Sequence, residues 1–242
     1  MQVAKTVRDI VISDYRTADV FRKWGINYCC GGNLPLADAC SVQQISQTEV
    51  EKDLKQATRN VTLSNSIAFN EWPVPFLTDY ILFVHHSYLK AVLPALRQLM
   101  GSFVPGHLKK YPHLAEVHQT FLDLAEELEE HIREEEESIF PYVKQINSTY
   151  NQKEKYGSLF VRTMRKPLAQ TIEKEHGRIV SLLKQLRSQT GHYTFGGDVC
   201  ANYQVIYNKL KEFDADLVQH KHLENNILFP KALEMEKALL QF

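Results

Sequence analysis

The chain has 242 residues, with 28 Lys and Arg against 29 Asp and Glu, and 44% of its residues are hydrophobic. The net charge of −1 gives no reason to expect a nucleic-acid or anionic-membrane partner, and the longest strongly apolar run, Tyr80 to Val84, is far too short to cross a bilayer. The N-terminus lacks the apolar segment of a secretory signal, and four cysteines, two of them adjacent, do not resemble an extracellular disulfide framework. We therefore expect a cytoplasmic protein.

Residues 1–60 are predicted to form a small helical domain. Thr17 is suited to cap the start of a short helix that runs through Trp24, and Gly25 is suited to the position after its end. Further helices are expected near residues 34–40 and 42–57. Residues 61–75 contain several Asn and Pro residues and are predicted to be a linker. A unit of this size buries little surface alone, so docking or dimerisation is expected.

The adjacent cysteines Cys29 and Cys30 stand before two glycines in this N-terminal segment. They cannot form a relaxed disulfide with each other, because a trans peptide holds their Cα atoms about 3.8 Å apart. Thiolates at such a turn are suited to thiol exchange, to metal or cluster handling, or to nitrosation. We interpret Cys29 and Cys30 as functional residues and the other two cysteines, Cys40 and Cys200, as structural.

Residues 76–242 contain the motif His-x3-Glu-x4-Phe-Pro twice, 89 residues apart. In both copies apolar residues precede the motif at every third or fourth position, which is the period of one buried helix face. The histidine and the glutamate occupy the next steps of that face. The motif residues are His131, Glu135, Phe140 and Pro141 in the first copy and His220, Glu224, Phe229 and Pro230 in the second.

A second repeat, with a spacing of 90 residues, places His86 and His176 at equivalent positions of two further apolar helix faces. The same shift places His85 on Glu175, so we interpret His86 as the inward-facing member of the His85-His86 pair. Two helical hairpins follow, each with one histidine on its first helix and His-x3-Glu on its second. This pattern predicts an all-α fold, in which an antiparallel four-helix bundle at residues 76–242 carries ligands that point inward.

These six side chains predict a metal centre, because a carboxylate in a helical core is costly unless a positive charge compensates it. The predicted ligands are His86, His131, Glu135, His176, His220 and Glu224. Six ligands exceed what one tetrahedral zinc needs, and the repeat favours two equivalent ions that share two carboxylates. A non-haem di-iron site with an oxo or hydroxo bridge is the best fit, and di-zinc or di-manganese sites are the alternatives.

The sequence resembles the iron-sulfur cluster repair proteins, also described as the repair-of-iron-centres family. The segment Phe-x3-Gly-Ile-Asn-Tyr-Cys-Cys-Gly-Gly is similar to their N-terminal domain, and His-Leu-Glu-Asn-Asn-Ile-Leu-Phe-Pro, which begins at His222, is similar to their hemerythrin-like domain. The resemblance covers essentially the whole chain. It implies the six metal ligands named above, the functional pair Cys29 and Cys30, and acidic residues near the metals at Glu127 and Glu175.

The resemblance implies a di-iron protein that restores iron-sulfur clusters after oxidative or nitrosative damage and that forms a homodimer. Repair by donation of iron to damaged iron-sulfur proteins is the first hypothesis. Enzymatic reduction of nitric oxide at the iron pair is the second, and a carrier or sensor of O2 or NO is the third. The sequence does not separate repair from nitric oxide reduction, so whether the protein is an enzyme stays open.

Overall fold

A computed structural model describes residues 5–29, 32–59, 67–153, 159, 161 and 168–241, with the backbone alone for 168–176. The predicted all-α fold is confirmed, since the described residues form helices and contain no strand beyond an isolated bridge between Thr6 and Pro35. The chain divides into two compact units. Unit 1 comprises Met1–Asn65 and Thr190–Glu212, and unit 2 comprises Ser66–Gln189 and Phe213–Phe242.

Four long helical segments carry the bundle. The first consists of α5 (Val74–Tyr80), the π-helix π1 (Ile81–His86) and α6 (Ser87–His107), preceded by a 3-10 turn at Phe69–Glu71. The second consists of α7 (Leu114–Glu134), π2 (Glu135–Ile139) and α8 (Phe140–Gln152). The third is α9 (Leu168–Gln189), and the fourth consists of α10 (Ala201–Leu223), π3 (Glu224–Leu228) and α11 (Phe229–Leu240).

Contacts among these helices show how the hairpins of unit 2 are arranged. The beginning of the first segment, α5, packs against the end of the second, α8, while α6 packs against α7. The first two segments are therefore antiparallel. Helix α9 packs along α7, and α11 packs along α8. As a result, π2 and π3, which begin with the glutamates of the two His-x3-Glu-x4-Phe-Pro motifs, lie at the same level of the bundle.

The apolar faces predicted from the repeats form the interior of unit 2. The residues at the stripe positions before the two motifs are buried, as are Phe140 and Phe229 of the motifs themselves. Burying a large apolar side chain stabilises a fold by about 1.5–3 kcal/mol. The buried stripe residues are Leu89, Leu93, Leu96, Phe121, Leu124, Leu128, Ile179, Leu183, Leu186, Phe213 and Leu217.

Unit 1 contains four short helices, α1 (Val7–Ser13), α2 (Thr17–Lys23), α3 (Leu36–Val42) and α4 (Gln47–Ala57), together with the beginning of α10. A capping box begins α1, in which the Thr6 side chain accepts from the Asp9 backbone N–H and the Asp9 carboxylate accepts from the Thr6 N–H. Tyr15 donates to Glu212 Oε2 at 2.8 Å, which ties the N-terminal helices to α10 within this unit.

The loop that carries Cys29 is closed tightly in unit 1. The Arg8 N–H donates to the Gly32 carbonyl at 2.9 Å, and a β-carbon at Gly32 would overlap the Tyr28 carbonyl group. Only glycine fits there without displacing the backbone. The loop therefore depends on the second of the two glycines that follow the cysteines.

The predicted division into 1–60, 61–75 and 76–242 stays a prediction. None of the helices of the described residues is both long enough and apolar enough to span a membrane.

Candidate metal centre

Each of the three π-helices begins or ends at a predicted ligand. His86 is the last residue of π1, Glu135 is the first of π2, and Glu224 is the first of π3. The Phe140 N–H donates to the Glu135 carbonyl and the Phe229 N–H to the Glu224 carbonyl, five residues back in both copies. Such wide turns are rare in helices and occur frequently at functional sites.

The proline of the repeated motif gives a physical reason for the wide turns. Pro141 and Pro230 are the second residues of the α-helices that follow π2 and π3. A proline inside an α-helix has no N–H to donate and clashes with the carbonyl four residues before it. Widening the preceding turn removes that clash. The Phe-Pro pair thus produces the same local geometry beside both glutamates.

Four of the six predicted ligands converge at this level of the bundle. His86, Glu135, His220 and Glu224 each offer a ligand atom, and these atoms all lie within 4.8 Å of one another. All four side chains are completely buried. The Nε2 atoms of His86 and His220 are 3.2 Å apart, and the Glu224 carboxylate contacts His220 Nε2.

Glu135 lies at the middle of the cluster. Its Oε2 atom is 3.3 Å from His86 Nε2, 3.9 Å from His220 Nε2 and 3.3 Å from His131 Nε2. His131 is also buried, and its ring centroid is 6.1 Å from that of His220. One carboxylate oxygen therefore faces the ring nitrogens of three histidines, which come from three of the four helical segments.

His86, His131 and Glu224 have the protonation states that a metal ion requires. Burial, with the neighbouring His220, lowers the pKa of His86 to about 4, and burial, with Lys221, lowers that of His131 to about 3. Burial raises the pKa of the Glu224 carboxyl, but His220 and Lys221 outweigh it and hold this pKa well below its usual value. Neutral imidazoles and ionised carboxylates bind metal without first losing protons. The residues present fit a metal ion.

Comparisons with known proteins agree with this geometry. Residues 78–232 match the family described as Hemerythrin HHE cation binding domain, and residues 3–58 match one described as Domain of Unknown function (DUF542). The chain belongs to the hemerythrin HHE family. The buried His and Glu cluster lies within the matched range, and its residue types suit metal binding.

Curated relatives extend the match beyond the hemerythrin domain. Proteins named iron-sulfur cluster repair protein YtfE from Escherichia coli O81 (strain ED1a), Citrobacter koseri and Escherichia fergusonii are each 28% identical to this chain over 232 residues. The alignments cover 94% of this chain and 96% of each relative. The resemblance to iron-sulfur cluster repair proteins that the sequence motifs indicated is confirmed.

Glu136 contacts the ligand cluster and was not among the residues predicted from the sequence. Its Oε1 atom is 3.0 Å from His86 Nδ1, and its Oε2 atom accepts from Lys90 Nζ at 2.7 Å. A carboxylate on Nδ1 fixes the tautomer of a ligating histidine, so that the lone pair of Nε2 faces the metal. Burial raises the pKa of Glu136, but Lys90 and His86 lower it below its usual value, which keeps this partner ionised. The adjacent position in the His-Ile-x2-Glu-Glu segment was the available signal.

His85 corrects an interpretation made from the repeat. We expected only His86 to face inward, yet both side chains are buried. His85 Nδ1 is 2.9 Å from Asp216 Oδ1, and the ring stacks on that of His220 with centroids 5.6 Å apart. Asp216 and His220 lie on α10, so contacts with a different helix, which the repeat does not reveal, account for the burial of His85.

The remaining predicted residues are placed as follows. His176 and Glu175 lie on α9, which packs against α7, but their side chains are outside the described residues. Glu127 pairs with Arg178 at 3.0 Å and has no described contact with the ligand cluster.

Cys29 is half-buried in unit 1, where its N–H donates to Asn27 Oδ1 at 3.0 Å. Cys30 lies outside the described residues.

Proposed function

We propose that this chain is a di-iron protein that takes part in the repair of iron-sulfur clusters damaged by oxidative and nitrosative stress, and that it donates iron for the repair. The observation that carries the proposal is the buried cluster of His86, Glu135, His220 and Glu224. It lies in a chain whose similarity to proteins named for iron-sulfur cluster repair extends over 94% of its length.

We assign the six ligands to two ions. His86 and His220 would hold the first ion, because their Nε2 atoms face each other at 3.2 Å. His131 and His176 would hold the second, by analogy with the sequence repeat and because His131 Nε2 lies 3.3 Å from Glu135 Oε2. Glu135 and Glu224 would serve both ions. A bound iron pair of this kind supplies Fe(II)/Fe(III) redox chemistry and open coordination positions.

The protein residues around the ligands prepare the site for that role. Glu136 holds His86 in the tautomer whose Nε2 faces the centre. Phe140 stacks on the His86 ring, with centroids 5.3 Å apart, and so supports its orientation from the apolar side. The complete burial of the two carboxylates removes water from around their charges, which strengthens their attraction for a cation.

We further propose that Cys29 and Cys30 assist the transfer of iron or the docking of a damaged protein. The tight packing at Gly32 supports this role, because it fixes the backbone two residues after the pair. Damaged iron-sulfur proteins are the proposed partners, and NO and O2 the proposed small molecules. From the resemblance we also propose a homodimer in the cytoplasm, which sedimentation analysis and cell fractionation can test.

Metal analysis with Mössbauer spectroscopy, on protein purified without oxygen, tests the iron pair. The expected result is two coupled irons per chain, and Glu135→Leu together with Glu224→Leu is expected to abolish the coupled signal. Stoichiometric zinc in the wild-type protein would refute the redox role. Two tightly bound irons in the double variant would overturn the ligand assignment.

A cluster repair assay tests the cysteines. The iron-loaded protein is mixed with an enzyme whose iron-sulfur cluster has been damaged by nitric oxide, and recovery of that enzyme is followed. Cys29→Ser with Cys30→Ser is expected to impair recovery and to leave the iron content unchanged. Cys200→Ser, which alters a half-buried cysteine of the same unit, is the matched control. Normal recovery with the double variant would exclude the pair from repair.

A further inference from the structure

Lys221 places a positive charge inside the ligand cluster. It lies on α10 between the two ligands of the second motif, directly after His220 and three residues before Glu224. Its side chain is only 13% exposed. The Nζ atom is 3.2 Å from Glu224 Oε2 and 3.4 Å from His131 Nε2. The ammonium group therefore contacts ligands from both copies of the motif.

The first copy has no such charge. Ile132 occupies the position after His131 and is buried. An isoleucine at this position is therefore compatible with the helix and with the motif. Because the backbone does not require a lysine there, the position of Lys221 is best explained by its charge.

That charge has two consequences for the carboxylates of the cluster. Carboxylates without a compensating cation are costly to bury, and an ammonium group in contact with Glu224 reduces the cost. The same ammonium group repels a divalent ion held by Glu224, since like charges a few ångströms apart oppose each other strongly in a buried site. Lys221 thus stabilises the ligand cluster after an ion has left and weakens the hold on an ion that is bound.

We propose that Lys221 is a built-in counter-cation that sets how readily the centre gives up its metal ion. The inference rests on the proposed function, in which iron is cargo for damaged clusters. Release exchanges one cation for another. The ammonium group of Lys221 neutralises the Glu224 carboxylate as the metal ion passes to an acceptor that supplies its own ligands. Each nitrogen and oxygen ligand keeps its electron pair, and the ion leaves in the oxidation state in which it was bound.

Metal release from the full-length protein tests the proposal. Wild-type protein and the variants Lys221→Ile, Lys221→Arg and Lys237→Met are loaded with Fe²⁺ without oxygen and, separately, with Zn²⁺, and are then challenged with excess chelator. Lys221→Ile copies the residue of the first motif, Lys221→Arg retains the charge, and Lys237→Met removes an exposed charge from α11. We expect Lys221→Ile to release either ion about tenfold more slowly, and the other two variants to match the wild type.

Thermal unfolding provides a readout that does not depend on activity. Stripped of metal, Lys221→Ile is expected to unfold at a lower temperature than the wild type, whereas the loaded variant is at least as stable as the loaded wild type. Lys221→Gln serves as the neutral variant if the isoleucine variant does not fold. The inference is overturned if the neutral variant releases metal as fast as the wild type or faster. It is also overturned if the metal-free neutral variant unfolds at the same temperature as the metal-free wild type. The zinc experiment separates this outcome from a failure of iron-dependent repair, which would overturn the proposed function alone.

Discussion

The two copies of His-x3-Glu-x4-Phe-Pro share their backbone and differ in their surroundings. Both glutamates begin a π-helix and both prolines follow it, so the duplicated sequence gives a duplicated local structure. The neighbours of the ligands are not duplicated. Glu136 follows the first glutamate and contacts His86, whereas Asn225 follows the second and is exposed. The ligands are thus symmetric in sequence, while the charges that control them are not.

The largest expected effect comes from replacing the shared glutamates one at a time. Glu135→Gln is expected to lose more metal than Glu224→Gln, because Glu135 Oε2 faces three histidines while Glu224 contacts His220 and Lys221. Metal content per chain, measured after dialysis against a weak chelator, checks the difference. Equal losses would show that the two copies contribute alike to the centre despite their different neighbours.

A smaller effect is expected from the residue that follows each glutamate. Glu136→Ala removes the carboxylate on His86 Nδ1 and is expected to lower metal affinity by about 10- to 100-fold, as is usual for the partner of a ligating histidine. Asn225→Ala, at the equivalent exposed position of the second copy, is the matched control and should leave affinity unchanged. Competition titration with a chromophoric chelator measures both. An unaltered affinity in Glu136→Ala would contradict the assigned role.

The smallest effect is a dependence of stability on pH. Burial lowers the pKa of His86 to about 4 and that of His131 to about 3, from 6.5 in an exposed histidine. Below pH 6.5 the unfolded chain binds more protons than the folded one, so the free energy of unfolding of the metal-free protein falls as the pH falls. The expected loss is about 1 kcal/mol per histidine between about pH 7 and 5.5.

Denaturant titrations of metal-free protein at several pH values measure this loss. His131→Asn should flatten the dependence, because it removes one of the histidines whose pKa burial lowers. His222→Asn, which changes an exposed histidine of the second copy, should not. A slope that is unchanged in His131→Asn would show that the acid sensitivity arises elsewhere.

The sequence was most informative at positions where only a few residue types are compatible with the structure. The apolar stripes are buried as their spacing predicts, and Gly25 has a positive φ of 69° after α2. The helix boundaries were predicted less well. Thr17 is the first residue of α2 rather than its cap, and its Oγ1 donates to the Asp14 carbonyl at 2.7 Å. The capping box of Thr6 and Asp9 marks an additional helix, α1, that the sequence analysis did not include.

The composition of the cluster was largely predictable, and its electrostatics were not. Histidine and glutamate at core positions of a repeated helix face indicate ligands, since a repeat aligns positions independently of their surroundings. Whether a charged neighbour is solvated or turned into the cluster depends on contacts between different helices. Lys221 and Glu136 follow ligands directly in sequence, yet only the packing of α6, α7 and α10 shows what each of them touches.

By itself, therefore, the sequence determined an all-α chain with a duplicated motif and a set of inward-facing histidines and glutamates, because helical periodicity is a local property. The tertiary structure alone decided that His85 is buried with His86, that one oxygen of Glu135 faces three imidazoles, and that Lys221 reaches His131 across the bundle. The physical reason is that burial and charge pairing are set by side chains far apart in the chain, which local helical periodicity does not reveal.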